Sequence, residues 1–107
     1  MANDNPIRLS RNEICVLQML IASAGKELHA YGMADDSNGL LKRTGIYTLL
    51  TRMELEKGLV ESRKEAVRKG AKGNPRRLYK VTGVGREALH DLETQQAGFN
   101  AMWGRDE

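Results

Sequence analysis

One cysteine, one phenylalanine, one tryptophan and two histidines are all that 107 residues contain of those types. Each scarcity removes a class of protein. A lone Cys15 cannot close an internal disulfide, and with only His29 and His90 beside it no Cys/His set has metal-ligand spacing, so no metal site is assigned. Cys15 reads instead as a small side chain on a helix near the core. The two histidines fall on separate predicted helices with no Ser, Cys or carboxylate at a catalytic spacing, and Gly70, Gly73 and Gly83 do not make a phosphate-cradling loop. Without a nucleophile and base pair there is no catalytic residue to name, and neither an enzyme nor a cofactor is expected. Long apolar runs are also missing. The longest, from Ile14 to Ala22, is broken by Gln18 and is far short of a membrane span, and the polar N-terminus has no signal-peptide core. A cytoplasmic protein without a membrane partner is expected.

What is present suits a single soluble domain. A hydrophobic fraction of 40% with 29% charged residues supports one modest core and not two. The formal charge is only +3, so the placement of the cations carries more information than their sum.

The stretch from Arg43 to Val60 organises the rest. Ile46, Leu49, Leu50 and Met53 fall at i, i+3, i+4, i+7, which puts four apolar side chains on one side of a helix. The opposite side carries Thr44, Thr48, Thr51 and Arg52, with Tyr47 at its edge. These are short or planar donors and acceptors, suited to phosphates and base edges. The spacing predicts a helix over 44–57 with Thr44 as N-cap and Gly58 as its stop, followed by an extended segment from Leu59.

Upstream, Met1 to Leu9 reads as a loose arm. Ser10 and Glu13 form a capping box, and Ile14, Leu17, Leu20, Ile21 and Ala24 continue a first helix that Gly25 ends. Lys26 to Leu28 reads as a connector. A weaker helix from His29 to Ser37 has Ala30, Met33 and Ala34 as its apolar edge, and a turn cluster, 35–39, closes it. Downstream, Leu59–Arg63 and Arg76–Val81 have the residue types of two short strands. The hairpin and its long connection hold Arg63, Lys64, Arg68, Lys69, Lys72, Arg76, Arg77 and Lys80 against Glu61 and Glu65. A charge run alone is usually a solvated loop. Beside a threonine-rich helix face it fits a single polyanionic ligand, with cations on phosphates and shorter side chains near bases.

The last element runs from Thr82, a plausible N-cap, to about Gly104. Its apolar residues Ala88, Leu89, Leu92, Phe99, Met102 and Trp103 recur at three- and four-residue intervals, interrupted by Gln95 and Gln96. The stripe is longer than a small three-helix body can cover. Self-association through Leu89, Leu92, Gln96, Phe99, Met102 and Trp103 is expected, against the alternative of a helix folded back on the first one.

The element order and several segments resemble the PadR family of winged helix-turn-helix regulators. Leu28-His29-Ala30-Tyr31 is similar to that family's Leu-His-Gly-Tyr, Gly45-Ile46-Tyr47 to its Gly-x-Leu-Tyr, and Met53-Glu54 with Gly58-Leu59-Val60 to its Leu-Glu and Gly-Leu-Ile. Arg76 to Thr82, continued by Gly85-Arg86, resembles its return strand and Thr-x-x-Gly-Arg. The resemblance implies a mainly α fold with a small β-hairpin: an arm at 1–9, a winged-helix domain at 10–81 and a dimerisation helix at 82–107. It implies a dimeric repressor that reads a palindromic double-stranded DNA site. Arg43, Thr44, Thr48, Thr51 and Arg52 would face the major groove, Tyr47 the backbone, and Lys69, Lys72, Arg76 and Arg77 phosphates or the minor groove; Tyr31 would either touch a phosphate or sit in the core. A single C-terminal helix resembles the short branch of the family, in which a flat aromatic effector can sit at the dimer interface. The rival expectation is an adaptor or antirepressor whose charged wing meets an acidic protein.

Overall fold

A computed structural model describes residues 8–66 and 76–103, with side chains up to residue 95. Helix α1, Arg11–Ala22, starts on a complete capping box: the Glu13 N–H donates to Ser10 Oγ at 3.2 Å and the Ser10 N–H donates to Glu13 Oε1 at 2.8 Å. A two-residue strand β1, Leu28–His29, leads directly into α2, Ala30–Asp36. Helix α3, Arg43–Leu55, strands β2, Val60–Lys64, and β3, Arg77–Val81, and helix α4, Gly83–Trp103, complete the order. The sheet has three antiparallel strands in the order β1-β3-β2.

That third strand corrects the expected connector at Lys26 to Leu28. Leu28 pairs with Tyr79 and His29 with Leu78, so the start of α2 is stitched to the return strand of the hairpin. A second correction concerns α3. Its N-cap is Lys42, in extended geometry and without a side-chain cap, and the helix begins one residue before Thr44. The preceding turn is closed by Ser37, whose Oγ accepts from the Leu41 N–H at 2.8 Å, leaving Leu41 buried and no residue to spare before the helix. Freed from capping, Thr44 lies on the surface.

The core gathers Val16, Leu17 and Leu20 of α1, Ala30, Met33 and Ala34 of α2, Ile46, Leu50 and Met53 of α3, and Leu59, Val60 and Tyr79 of the sheet. Leu49 is only partly buried. Leu89 of α4 also belongs here, 4% exposed. Expected at a dimer interface, this side chain is enclosed by its own chain, so α4 begins as part of the body. Leu9 packs on the core, and the Arg8 carbonyl accepts from Lys57 Nζ at 2.8 Å.

The junction of α3, the hairpin and α4 is held by Thr82. Its N–H donates to the Leu59 carbonyl at 3.1 Å, its hydroxyl donates to the Gly58 carbonyl at 2.6 Å, and the same oxygen accepts from the Gly85 N–H at 3.0 Å. Gly58 allows this turn by adopting φ +66°. Gly85 allows the close approach, because a Cβ there would collide with the Leu59 carbonyl oxygen and lie 2.8 Å from Val81 Cγ2. Gly85→Ala is expected to cost about 1–3 kcal/mol, since a backbone oxygen cannot rotate away. In a domain of this size that is a fall of roughly 4 °C or more in thermal midpoint, read by circular dichroism.

Glu13 is buried and accepts from Lys57 Nζ at 2.9 Å. Burial alone would raise its pKa, but the Ser10 backbone N–H and Lys57 together outweigh it, and the carboxyl titrates below its ordinary value of 4.5. A depressed carboxylate stabilises the fold above its unfolded pKa and loses that contribution as the pH falls through the folded one. Glu13→Gln should therefore cost about 1–3 kcal/mol near neutrality, the worth of hydrogen bonds to a charged group. The gap from the parent in urea melts should close as the pH is taken below 4.5.

Candidate nucleic-acid interface

Because Ile46, Leu50 and Met53 anchor α3, the opposite stripe is left outward. Thr44, Tyr47, Thr48, Thr51 and Arg52 are all exposed on it. Arg52 has a loose partner, Glu56, at 3.7 Å one turn on. At the N-terminal end Tyr31 of α2 joins the group. Its ring meets Tyr47 edge to face, centroids 5.4 Å apart at 71°. With Tyr31 43% and Tyr47 42% exposed, neither is a core aromatic.

Arg43 is not a free cation in this cluster. It donates from Nε to Asp35 Oδ1 at 2.9 Å and from Nη2 to Asp35 Oδ2 at 2.7 Å, with its guanidinium carbon 4.7 Å from the Tyr31 ring centroid. The Arg43 hydrogen bonds hold Asp35 below the usual carboxylate range, and the carboxylate in turn raises Arg43. Helix geometry explains the pairing. A cation in the first turn opposes the helix dipole, and α3 has no acidic residue there, so the carboxylate comes from α2.

The hairpin carries less free charge than its composition implies. Arg63 is gripped by Glu27, with Nη2 to Oε1 at 2.6 Å, Arg76 by Glu65 at 3.0 Å, and Lys80 lies 3.5 Å from Glu61. Those grips lower Glu27 and Glu65 and raise Arg63 and Arg76. Arg76 Nη1 also lies 3.1 Å from His29 Nε2. Since His29 Nδ1 caps α2 by accepting from the Gly32 N–H, a neutral ring carries its proton on Nε2, and Glu65 remains the partner that holds Arg76. Arg77 departs from its expected role. It shares the sheet face of buried Tyr79 and donates from Nη1 to Ser62 Oγ at 3.1 Å, toward α3. Ser62 in turn donates to Glu54 Oε1 at 2.7 Å, and its N–H donates to Glu54 Oε2 at 3.1 Å. Arg77 is thus part of a tether between α3 and the hairpin. Lys69 and Lys72 lie outside the described residues, as do the side chains of Gln96, Phe99, Met102 and Trp103.

On α4, the half-buried Leu92 lines a groove of about 380 Å³ with Leu9, Val84, Ala88 and Gln95. Among the described residues no helix is long and apolar enough to cross a membrane. The structural residues that sequence reasoning missed are Asp35, Glu27 and Ser62. Asp35 precedes Arg43 by eight positions, across a turn, and no single-helix spacing reveals such a pair.

A helix packed on a second helix, with an exposed donor-rich stripe and an adjacent antiparallel hairpin, is a winged helix-turn-helix. The model of the PadR-like family of transcriptional regulators matches residues 16–91. The chain belongs to that family, whose members are DNA-binding transcription regulators. Solved structures agree in fold. A PadR-like transcription factor from Bacteroides fragilis superposes with a TM-score of 0.67 at 23% identity, covering 85% of this chain and 84% of that one. A PadR-like transcriptional regulator from Bacillus cereus gives 0.62 at 25% identity, covering 85% of each chain. A PadR family transcription regulator from Clostridium difficile gives 0.62 at 21%, covering 86% of this chain and 93% of that one. No curated protein matches the chain.

Ser62→Ala should loosen the tether between α3 and the hairpin. Loss of the hydroxyl leaves Glu54 with one hydrogen bond fewer, for an expected cost of about 1 kcal/mol in unfolding free energy, read as a lower urea midpoint.

Proposed function

We propose that this PadR-like regulator is a dimeric repressor that acts in the cytoplasm on a palindromic duplex site. The observation that carries this reading is the outward stripe of α3, where threonines, Tyr47 and Arg52 stand exposed while the opposite side is locked in the core. In the proposed complex Arg43, Thr44, Thr48, Thr51 and Arg52 enter the major groove, and Tyr47 and Tyr31 lie at the sugar-phosphate backbone. Lys69 and Lys72 hold phosphates. Arg76 joins them by exchanging Glu65 for phosphate, because an exposed ion pair is weak enough to be replaced.

Two-fold symmetry comes from α4, on which Leu92 and Val84 line a groove and Gln96, Phe99, Met102 and Trp103 follow in the sequence. Two α3 helices about one DNA turn apart then read the half-sites, and a change in the α4 crossing angle moves them out of register. A flat aromatic effector stacking on Phe99 and Trp103 is the ligand in keeping with this arrangement. In organisation, residues 1–9 lead in, 10–81 bind DNA and 82–107 dimerise. The acidic-protein adaptor reading is weaker, because the family model that matches the chain is one of transcriptional regulators.

Selection of bound duplexes from a random pool at near-physiological salt, with solution mass measured on the same sample, tests the proposal. A palindrome recovered by a dimer is the expected result. No enrichment by a folded protein would overturn it. On the recovered site, Arg52→Ala should weaken specific binding more than non-specific binding, whereas Lys69→Ala should weaken both alike and reduce the salt slope by about one.

A further inference from the structure

One cation at the start of α3 has more built around it than the others. Arg43 has its Nε–Nη2 edge clasped by Asp35 and one face laid over Tyr31, which is itself braced edge-on by Tyr47. The carboxylate alone does not set it apart, since Arg76 has the same two-point grip from Glu65. The ring beneath it does, because a guanidinium stacked on an aromatic face has its plane fixed.

The free part of the group has a definite shape. With Nε and one Nη2 hydrogen used on Asp35, the two remaining Nη1 hydrogens and the second Nη2 hydrogen point away from the carboxylate. Among the described residues nothing bonds Nη1. The Arg43 side chain is 58% exposed, so that end of the fork is open. Two parallel N–H donors on a rigid, nearly charge-balanced fork match the paired O6 and N7 acceptors of guanine.

We infer that Asp35 is a positioning residue that fixes Arg43, at the start of α3, as a reader of one guanine in each half-site. The inference rests on the DNA-binding reading above. Asp35 touches no DNA in this scheme. It acts by fixing the plane and direction of the Arg43 fork, with Tyr31 as the platform.

The test compares the parent protein, Asp35→Ala and Arg43→Lys on two duplexes, the site recovered by selection and an unrelated sequence, across a salt series. For Asp35→Ala the expected result has two signs. Affinity for the unrelated duplex rises, with a salt slope steeper by about one, because a cation has been released to the phosphates. Affinity for the selected site relative to the unrelated one falls about tenfold, within the range of one bidentate base contact. Arg43→Lys keeps the charge and loses the fork, so repeating the selection with it should relax the guanine preference at one position per half-site. A merely structural Asp35 would lower the thermal midpoint and weaken both duplexes together, and that outcome overturns the inference. So does a parallel rise on both duplexes with their ratio unchanged, which makes Asp35 a charge offset only. A parent protein that enriches no sequence overturns the DNA-binding reading itself, whereas a parent that selects a site without guanine dependence on Arg43 sinks this inference alone.

Discussion

Thr82 carries the constraint on which the rest depends. With one N–H and one hydroxyl it joins the exit of α3, the end of β3 and the first turn of α4, and Gly85 lets the last of these press on the Leu59 carbonyl. Three elements meeting on backbone carbonyls cannot shift by small increments, because each hydrogen bond has a narrow distance range. The direction of α4 is therefore tied to that of α3 by a few ångströms of rigid chain. In the proposed dimer this makes the α4 pairing the setting for the distance between recognition helices. The Glu54–Ser62–Arg77 chain serves the same end on the other side, locking the hairpin to the last turn of α3.

Charge tells a different story when it is placed and not only counted. The hairpin looks strongly basic in the sequence, yet Arg63, Arg76 and Lys80 each have a carboxylate nearby, and one of those, Glu27, lies in the loop before β1. Such pairs at the surface are weak and exchangeable. They lower non-specific attraction to polyanions while leaving cations ready to change partner when a phosphate arrives in the right place. A regulator that must leave wrong sites quickly gains from that arrangement.

Much of the fold was legible because its signals are local. The Ser10–Glu13 box, the Ile46/Leu50/Met53 stripe and the Thr82 cap each lie within a few residues, and each formed as its spacing predicts. What escaped was non-local or too short to have a period. A strand of two residues, Leu28–His29, cannot show alternation, and its partner is far along the chain. Lys42 has no capping side chain, so Thr44 attracted the helix start. Asp35 and Arg43 meet across a turn. Leu89 read as surplus apolar surface because the depth of the α1–α4 contact is set by Gly85, which no stripe reveals. Arg77 was recoverable: once Tyr79 is taken as buried, the two-residue period of β3 places Arg77 on the same face.

The β1–β3 pairing has a consequence for how the chain is made. His29 is at once a strand residue and the cap of α2, and its strand partner, Leu78, is synthesised about fifty residues later. During translation the helical half can collapse, but the first helix of the helix-turn-helix has its final footing only after the return strand emerges. A truncated product ending before β3 would therefore leave Leu28, His29 and the edge of β2 without their ladder partners, exposing unpaired strand to neighbouring chains.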